Sequence, residues 1–543
     1  MKKYILLIII AAMGLQGCRD WLDINYTPNN ASASSVSAEL LLTSAEYDMV
    51  ADNANDYSTL MIAQHITKSG EVSGTYTFLS GLVMPQNVDD WWELYYRLNA
   101  NFKLIEEKAI ERGNPALLGI AQLLTNCNYQ RLVDMYGNIP YSQAGQPKEY
   151  PTPEYDKAED IYADLLTKID VTIGHLEAAA ASTNLDLSAL RKADIICKGD
   201  LKLWVRLAYT QKLRLLMRIS DVRDVKAQLT SIADKCLTIN ENVSMNPGFY
   251  VETNKMNIFY QTFGFNNLGN VLSANKYYMP TSSVVDMLRD NNDPRLRVYI
   301  DPRPTLGDHA YANYSKYGLG QERYVGIPYG QINPASASYT CRIGLGILAG
   351  GSDKNAGAKA PTNYICGAEI GFFLAEAALR GLIPGGDVKA KEYYEAAVTS
   401  AMKRHEKAMQ DNGYTAKGVR PPIEGSAEQA AKAFLSQDND FVNWDKMTST
   451  ERKLEAIHSQ KWLSLFGYNP LEAWFEQRRS DFPKLKASVS GQENKLLCKL
   501  PYPQSERNLN PANVAAQGDV DVYNSLVFWD LKNEIVPRTE PYL

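Results

Sequence analysis

Histidine is scarce in this chain, with five in 543 residues, at positions 65, 175, 309, 405 and 458. No two stand four apart, so the HExxH zinc arrangement is absent, and His405-Glu406 has no second imidazole to complete it. No GxSxG nucleophile elbow occurs. The segment from Gly351 to Lys359 fails the phosphate-loop spacing, which needs Gly and Lys adjacent. Gly344-Leu-Gly346-Ile-Leu-Ala349 fits a relaxed dinucleotide pattern, but it runs into GGSDKNAGAK, a loop sequence where that pattern demands a helix. DNNDPRLRVY (290–299) lacks the glycine and terminal glutamate of a calcium loop and reads instead as a turn at Asp293-Pro294. An excess of positive charge is also missing. Lys and Arg number 56 against 62 Asp and Glu, a net charge of −6, whereas nucleic-acid binding needs a concentrated basic surface. The sequence therefore shows no motif for a metal or a nucleotide, and nucleic acid is not expected as a partner.

Cysteine pairing is equally thin. Beyond Cys18, six cysteines (127, 197, 236, 341, 366 and 498) are far apart, with no CxxC. Disulfide frameworks belong to small chains that lack a core, and this chain is long enough to bury a large one. Most of the six read as buried thiols, with room for one disulfide. Long apolar runs are confined to the start. Lys2 and Lys3 precede an apolar stretch from Tyr4 to Ala12, shorter than the about 20 residues of a membrane span and right for a secretory leader. Leu15-Gln16-Gly17-Cys18 then matches the bacterial lipobox, in which a cysteine thiol is acylated. Residues 1–17 are expected as a lipoprotein signal peptide, Cys18 as the lipidation site and 18–37 as a polar tether. With acyl chains worth about 0.8 kcal/mol per buried methylene, the mature chain would be anchored to a membrane, not spanning it.

What is abundant is aromatic surface. Thirty-three tyrosines and eight tryptophans accompany many asparagines. Rings that cover sugar C–H faces, with amides that pair with hydroxyls, suit carbohydrate; the same side chains also fill cores with a polar tip outward. Helical periodicity covers roughly 38–66, 91–112, 119–137, 157–180, 200–220, 367–381, 387–408 and 449–467. Residues 240–365 are dense in Gly, Pro, Asn and Tyr and lose that periodicity, and ordered loops of such length are commonly functional. The tail from 481 is again loop-rich. The expected fold is mainly α: one domain over 38–543, with a helical scaffold at about 38–239 and 366–480, a loop-rich insertion at 240–365 and a loop-rich tail at 481–543. Periodicity alone gives no repeat length.

Several segments in order resemble the SusD/RagB family of Bacteroidota outer-membrane lipoproteins. They are the lipobox with CRDWLDINYTPNN, CNYQRLVDMYGNIPYSQA (127–144), DPRL (293–296), EIGFFLAEAALRG (369–381), KWLSLFGYNPLEAWFEQRRSDFP (461–483), LPYPQSERNLNPAN (500–513) and FWD (528–530). The resemblance implies a tetratricopeptide-like scaffold of helix pairs with an irregular ligand face. It also implies an exterior-facing outer-membrane location, a TonB-dependent SusC-like transporter as partner, a nutrient ligand that is usually a glycan, and no cofactor. The motifs themselves read as structural. Arg478 and Arg479 suit buried fork-shaped pairing with carboxylates, Glu369 and Glu376 suit ion pairs, and Gly137 with Pro140 suits a turn at a helix end.

The ligand face should be exposed and non-repetitive. Trp91, at the start of a helix that Asp89 or Asp90 would cap, is the first stacking candidate and Tyr76 the second. Asn275, Tyr277 and Tyr278, then Tyr311 and Tyr314, then Tyr329 follow in the loop region. The leading expectation is non-catalytic binding of an extracellular oligosaccharide and its delivery to the transporter. A peptide ligand, a surface glycoside hydrolase, whose carboxylate pairs have no fixed spacing, and a lid with little affinity of its own are the alternatives.

Overall fold

A computed structural model describes residues 36–68, 77–301, 318–319, 322–331, 341–344, 346–347, 354–406 and 425–540. Cys18, Tyr76, Tyr311 and Tyr314 lie outside the described residues.

The architecture is mainly α. Its main helices are α1 (Ala38–Asn55), α2 (Tyr57–Ile62), α3 (Asp89–Glu111), α4 (Pro115–Tyr136), α5 (Ala158–Ala181), α6 (Leu201–Arg218), α7 (Gly367–Leu379), α8 (Gly386–Lys403), α9 (Thr450–Ser464) and α10 (Pro470–Ser480). Neighbours pack side by side as α1 on α3, α3 on α4, α4 on α5, α5 on α6 and α7 on α8. Arg112-Gly113-Asn114 joins α3 to α4, and so short a turn forces the two helices antiparallel. Asn114 starts α4 by accepting the Leu117 N–H, with Pro115 in the first turn, where its missing N–H costs nothing. Gly137 ends α4 at φ +75°, a conformation glycine enters without a Cβ penalty. The result is the tetratricopeptide-like scaffold that the resemblance implied.

The expected helix over 38–66 is divided. Asp56 has extended backbone dihedrals (φ −87°, ψ 110°) and ends α1, while its carboxylate accepts the Ser58 N–H and starts α2. One side chain thus serves as the hinge between two helices. Asp89 and Asp90 do not cap α3. The helix begins with them, Val88 occupies the cap position without a side-chain bond, and Asp89 instead accepts from the backbone N–H and hydroxyl of Ser505.

The described residues of 240–365 form short helices and short strands, with no long ones among them. Strand β1 (Ile66–Lys68) pairs antiparallel with β2 (Tyr278–Pro280), with Lys68 opposite Tyr278. This ladder pins the irregular region onto the N-terminal helices. Gly344 and Gly346 sit against Val298 and Tyr299, where an added Cβ would collide; their spacing reflects close packing.

The scaffold is locked by a buried charge network. Arg479 grips Glu376 through two bonds of 2.8 and 2.6 Å. Arg214 bonds Glu369 at 2.7 Å. Arg218, with no exposure, meets Glu472 at 2.7 Å and Asp134 at 3.3 Å and also pairs with Glu476. Arg478 makes no such carboxylate fork: it donates to the carbonyls of Cys498 and Asp134 and stacks over Trp474. All six cysteines after Cys18 are buried, and no disulfide links any two of them.

Candidate functional site

The break at Asp56 opens a cleft of about 530 Å³ between the end of α1, the start of α2 and the first turns of α3. Its walls include Asp48, Asp52, Asp56, Tyr57, Asp90, Trp91 and Arg97. The cleft follows from the local sequence. Because α1 stops at Asp56, Tyr57 is the first residue of α2 and its ring stands at the rim, 40% exposed.

Tyr57 does not stand alone. Its ring stacks on Tyr278, with centroids 4.6 Å apart and planes 13° from parallel. Tyr278 is buried and is held in place by the β1–β2 ladder and by an edge contact with Phe263. One face of Tyr57 is therefore covered, and the other is left to the cleft. Such a ring, rigidly backed, suits stacking against an apolar ligand face.

Trp91 sits at the head of the inward stripe of α3, followed by Tyr95, Leu98, Phe102, Ile105 and Ala109, all buried. That stripe explains why Trp91 is only 6% exposed. Its ring packs on Phe78, and its indole N–H donates to Asp56 at 2.6 Å. It lines the cleft as a wall, while Tyr57 is the open ring.

The carboxylates of the cleft are crowded. Asp52 accepts from the Tyr95 hydroxyl at 2.8 Å, and Arg97 pairs with Asp48 at 3.0 Å. Burial, reinforced by the neighbouring Asp56 charge, pushes the Asp52 carboxyl up to about 7. Burial raises Asp56 as well, against the donors Ser58 and Trp91, and the nearby Asp90 adds to the rise.

The remaining expected residues divide. Tyr278 joins the cleft through Tyr57. Tyr277 is half-buried against the core. Asn275 is buried and accepts from Arg342 at 3.4 Å. Tyr329 is buried beside a smaller cavity also lined by Phe78, Trp474 and Tyr523. Sequence reasoning missed Tyr57. Its signal was the polar interruption DNANDY inside an otherwise helical stretch, which marks a chain break with an aromatic just after it.

One group of potential metal ligands occurs among the described residues. Glu376, His458 and Glu476 bring ligand atoms within 4.8 Å of one another. Their carboxylates already face Arg479, Arg218 and Lys461, so cations of the protein occupy the positions a metal would take. No helix of the described residues is long and apolar enough to cross a membrane.

Comparison with known proteins agrees with this architecture. A family profile described as starch-binding and associating with the outer membrane matches residues 28–503. Among solved structures, a SusD homologue from Bacteroides fragilis is 21% identical, with a TM-score of 0.69 over 92% of this chain and 100% of its own. A SusD/RagB family protein from Bacteroides thetaiotaomicron is also 21% identical, with a TM-score of 0.70 over 91% and 99%. A chitin-binding protein is 23% identical, with a TM-score of 0.66 over 91% and 100%. At these identities the likeness is one of fold. No curated protein matches the chain.

Proposed function

The chain belongs to the SusD-like family, and from that premise we propose that it is a non-catalytic, surface-exposed lipoprotein that binds extracellular oligosaccharide and passes it to a TonB-dependent SusC-like transporter. In this reading residues 1–17 are removed as a signal peptide, Cys18 carries the lipid, 18–37 tether a single domain over 38–543, and the domain faces the cell exterior on the outer membrane.

The observation that carries the reading is the Tyr57 ring, backed by Tyr278 and open to a cleft of about 530 Å³. That volume falls in the range of about 300–1,000 Å³ typical of small-molecule sites, and one flat open ring beside polar groups matches what a sugar needs. Tyr57, Tyr278 and Trp91 are assigned to this site.

The test uses residues 19–543, without lipid, on a glycan array and a peptide library, with product analysis of every hit. An intact glycan ligand weakened by Tyr57→Ala supports the reading. Cleaved product turns it toward a hydrolase. A peptide hit replaces the ligand class. Silence in both libraries, with tight capture of the transporter, leaves a lid without affinity of its own.

A further inference from the structure

The charge of the cleft narrows the ligand further than its shape does, provided that the glycan-binding reading holds. Five charged residues line the cleft: Asp48, Asp52, Asp56, Asp90 and Arg97. Arg97 is committed to Asp48. Asp56 has both oxygens engaged, one by the Ser58 N–H and one by the Trp91 indole. Asp52 receives one hydroxyl, from Tyr95, and Arg131, buried on the core side, offsets part of its charge. Asp90 is exposed and makes no ion pair among the described residues. The cleft therefore offers a surplus of carboxylate and no uncommitted cation among its described lining residues.

We infer that this cleft selects glycans bearing free amino groups, that is, oligosaccharides with unsubstituted hexosamine units, over their neutral and acidic counterparts. The geometry suits them. A pyranose laid on the open face of Tyr57 presents its C–H groups to the ring. An equatorial 2-amino group then projects from the edge of the sugar into a cleft whose lining includes Asp52 and Asp90. An ammonium donates to carboxylates and is also attracted by an aromatic face. A uronate or sulfate in the same place would meet the carboxyls of Asp52, Asp56 and Asp90, and the one guanidinium of the lining, Arg97, is already paired with Asp48. The upward displacement of the Asp52 and Asp56 carboxyls fits a site that lacks a counter-cation until ligand arrives.

The experiment measures calorimetric affinity of residues 19–543 at pH 6.5 and low ionic strength for three oligosaccharides of equal length: β-1,4-glucosamine, its fully N-acetylated form and an oligogalacturonate. Acetylation removes the charge and keeps the backbone, so the first two isolate the amine. The expected result is at least tenfold tighter binding of the free-amine oligomer, an advantage that shrinks with added salt, and no binding of the oligogalacturonate. Asp52→Asn and Asp90→Asn together should remove the advantage of the free-amine oligomer over the acetylated one, while circular dichroism shows the fold retained.

Equal or tighter binding of the acetylated oligomer overturns the inference and leaves the glycan reading standing. An advantage that survives both substitutions overturns the assignment to these carboxylates. A lysine-rich peptide that displaces the free-amine oligomer at lower concentration overturns the choice of sugar. Failure of every oligosaccharide, on a full glycan array as well, overturns both this inference and the function it rests on.

Discussion

Tyr57 and Tyr278 lie face to face, 4.6 Å apart and 13° from parallel, although they are far apart in the chain. The contact joins the first turn of a scaffold helix to the irregular region, and it gives the exposed ring a buried, immobile backing. A ring that hides about 100 Å² of a ligand's apolar surface contributes roughly 2.5 kcal/mol before losses. Tyr57→Ala is therefore expected to weaken oligosaccharide binding at least tenfold. Tyr278→Ala should produce a smaller loss through Tyr57, and the double substitution should cost little more than Tyr57→Ala alone. Additive losses, measured by calorimetry, would show that Tyr278 does not act through Tyr57.

Trp91 plays a different part. Its indole N–H holds Asp56 at 2.6 Å, so Trp91→Phe keeps most of the ring and removes one donor from a half-buried carboxyl. A buried acceptor left with one partner fewer costs about 1–3 kcal/mol. The expected outcome is a lower urea midpoint for Trp91→Phe, with ligand affinity reduced less than by Tyr57→Ala. A larger affinity loss from Trp91→Phe than from Tyr57→Ala would make the tryptophan the main platform.

How far the sequence reached depended on whether a feature is local. The apolar spacing of α3, α4, α5 and α6 is a property of neighbouring residues, and the helices stand within a few residues of their expected bounds. The Arg479–Glu376 fork was foreseeable in kind, because the carboxylate lies on a strongly apolar helix and the guanidinium closes an amphipathic one, where an unpaired buried charge would be costly. The cleft was not foreseeable. It depends on Asp56 ending one helix and starting the next, and on a strand pairing that brings Lys68 opposite Tyr278. Both are decided by tertiary packing. Trp91 shows the same limit: its place on the Tyr95–Leu98 stripe was readable from spacing, yet its role as wall and not as open ring rests on Phe78 and Asp56, distant in the chain or outside the helix.

The Asp52 carboxyl gives a dependence on pH with a definite sign. Its value in the fold is about 7, raised by burial and by Asp56 and only partly offset by Tyr95 and Arg131, against an ordinary value of about 3.9 in the unfolded chain. Between those limits the folded state holds a proton that the unfolded state releases. Stability contributed by the neutral form is present below about 4 and is lost as pH rises toward 7. Asp52→Asn, which mimics the neutral form and still accepts from Tyr95, should therefore stabilise the protein at pH 8 by about 1–2 kcal/mol, after allowance for partial solvent access. It should give no gain at pH 4. Urea midpoints at the two pH values check this, and a gain of equal size at both would exclude the titration of Asp52 as its source.

Glu376 carries the opposite sign. The Arg479 guanidinium beside it, with His458 and Arg380, overcomes its burial and holds its carboxyl down at about 2. The ionised form is the stabilising one, so the contribution is complete above the ordinary carboxylate value and is lost as pH falls toward 2. Glu376→Gln leaves Arg479 buried with Glu476 as its nearest remaining counter-charge. Removing one partner of a buried pair costs about 3–5 kcal/mol, and that is the loss expected at pH 7. Replacing both partners, Glu376→Gln with Arg479→Met, should cost less than the sum of the two single changes, with a coupling above about 1 kcal/mol in a double-mutant cycle. The difference between wild type and Glu376→Gln should also narrow as the pH is lowered from 5 to 3. A difference that stays constant over that interval would mean that the ion pair does not determine the loss, and that Glu376 acts in the α7 packing through its shape alone.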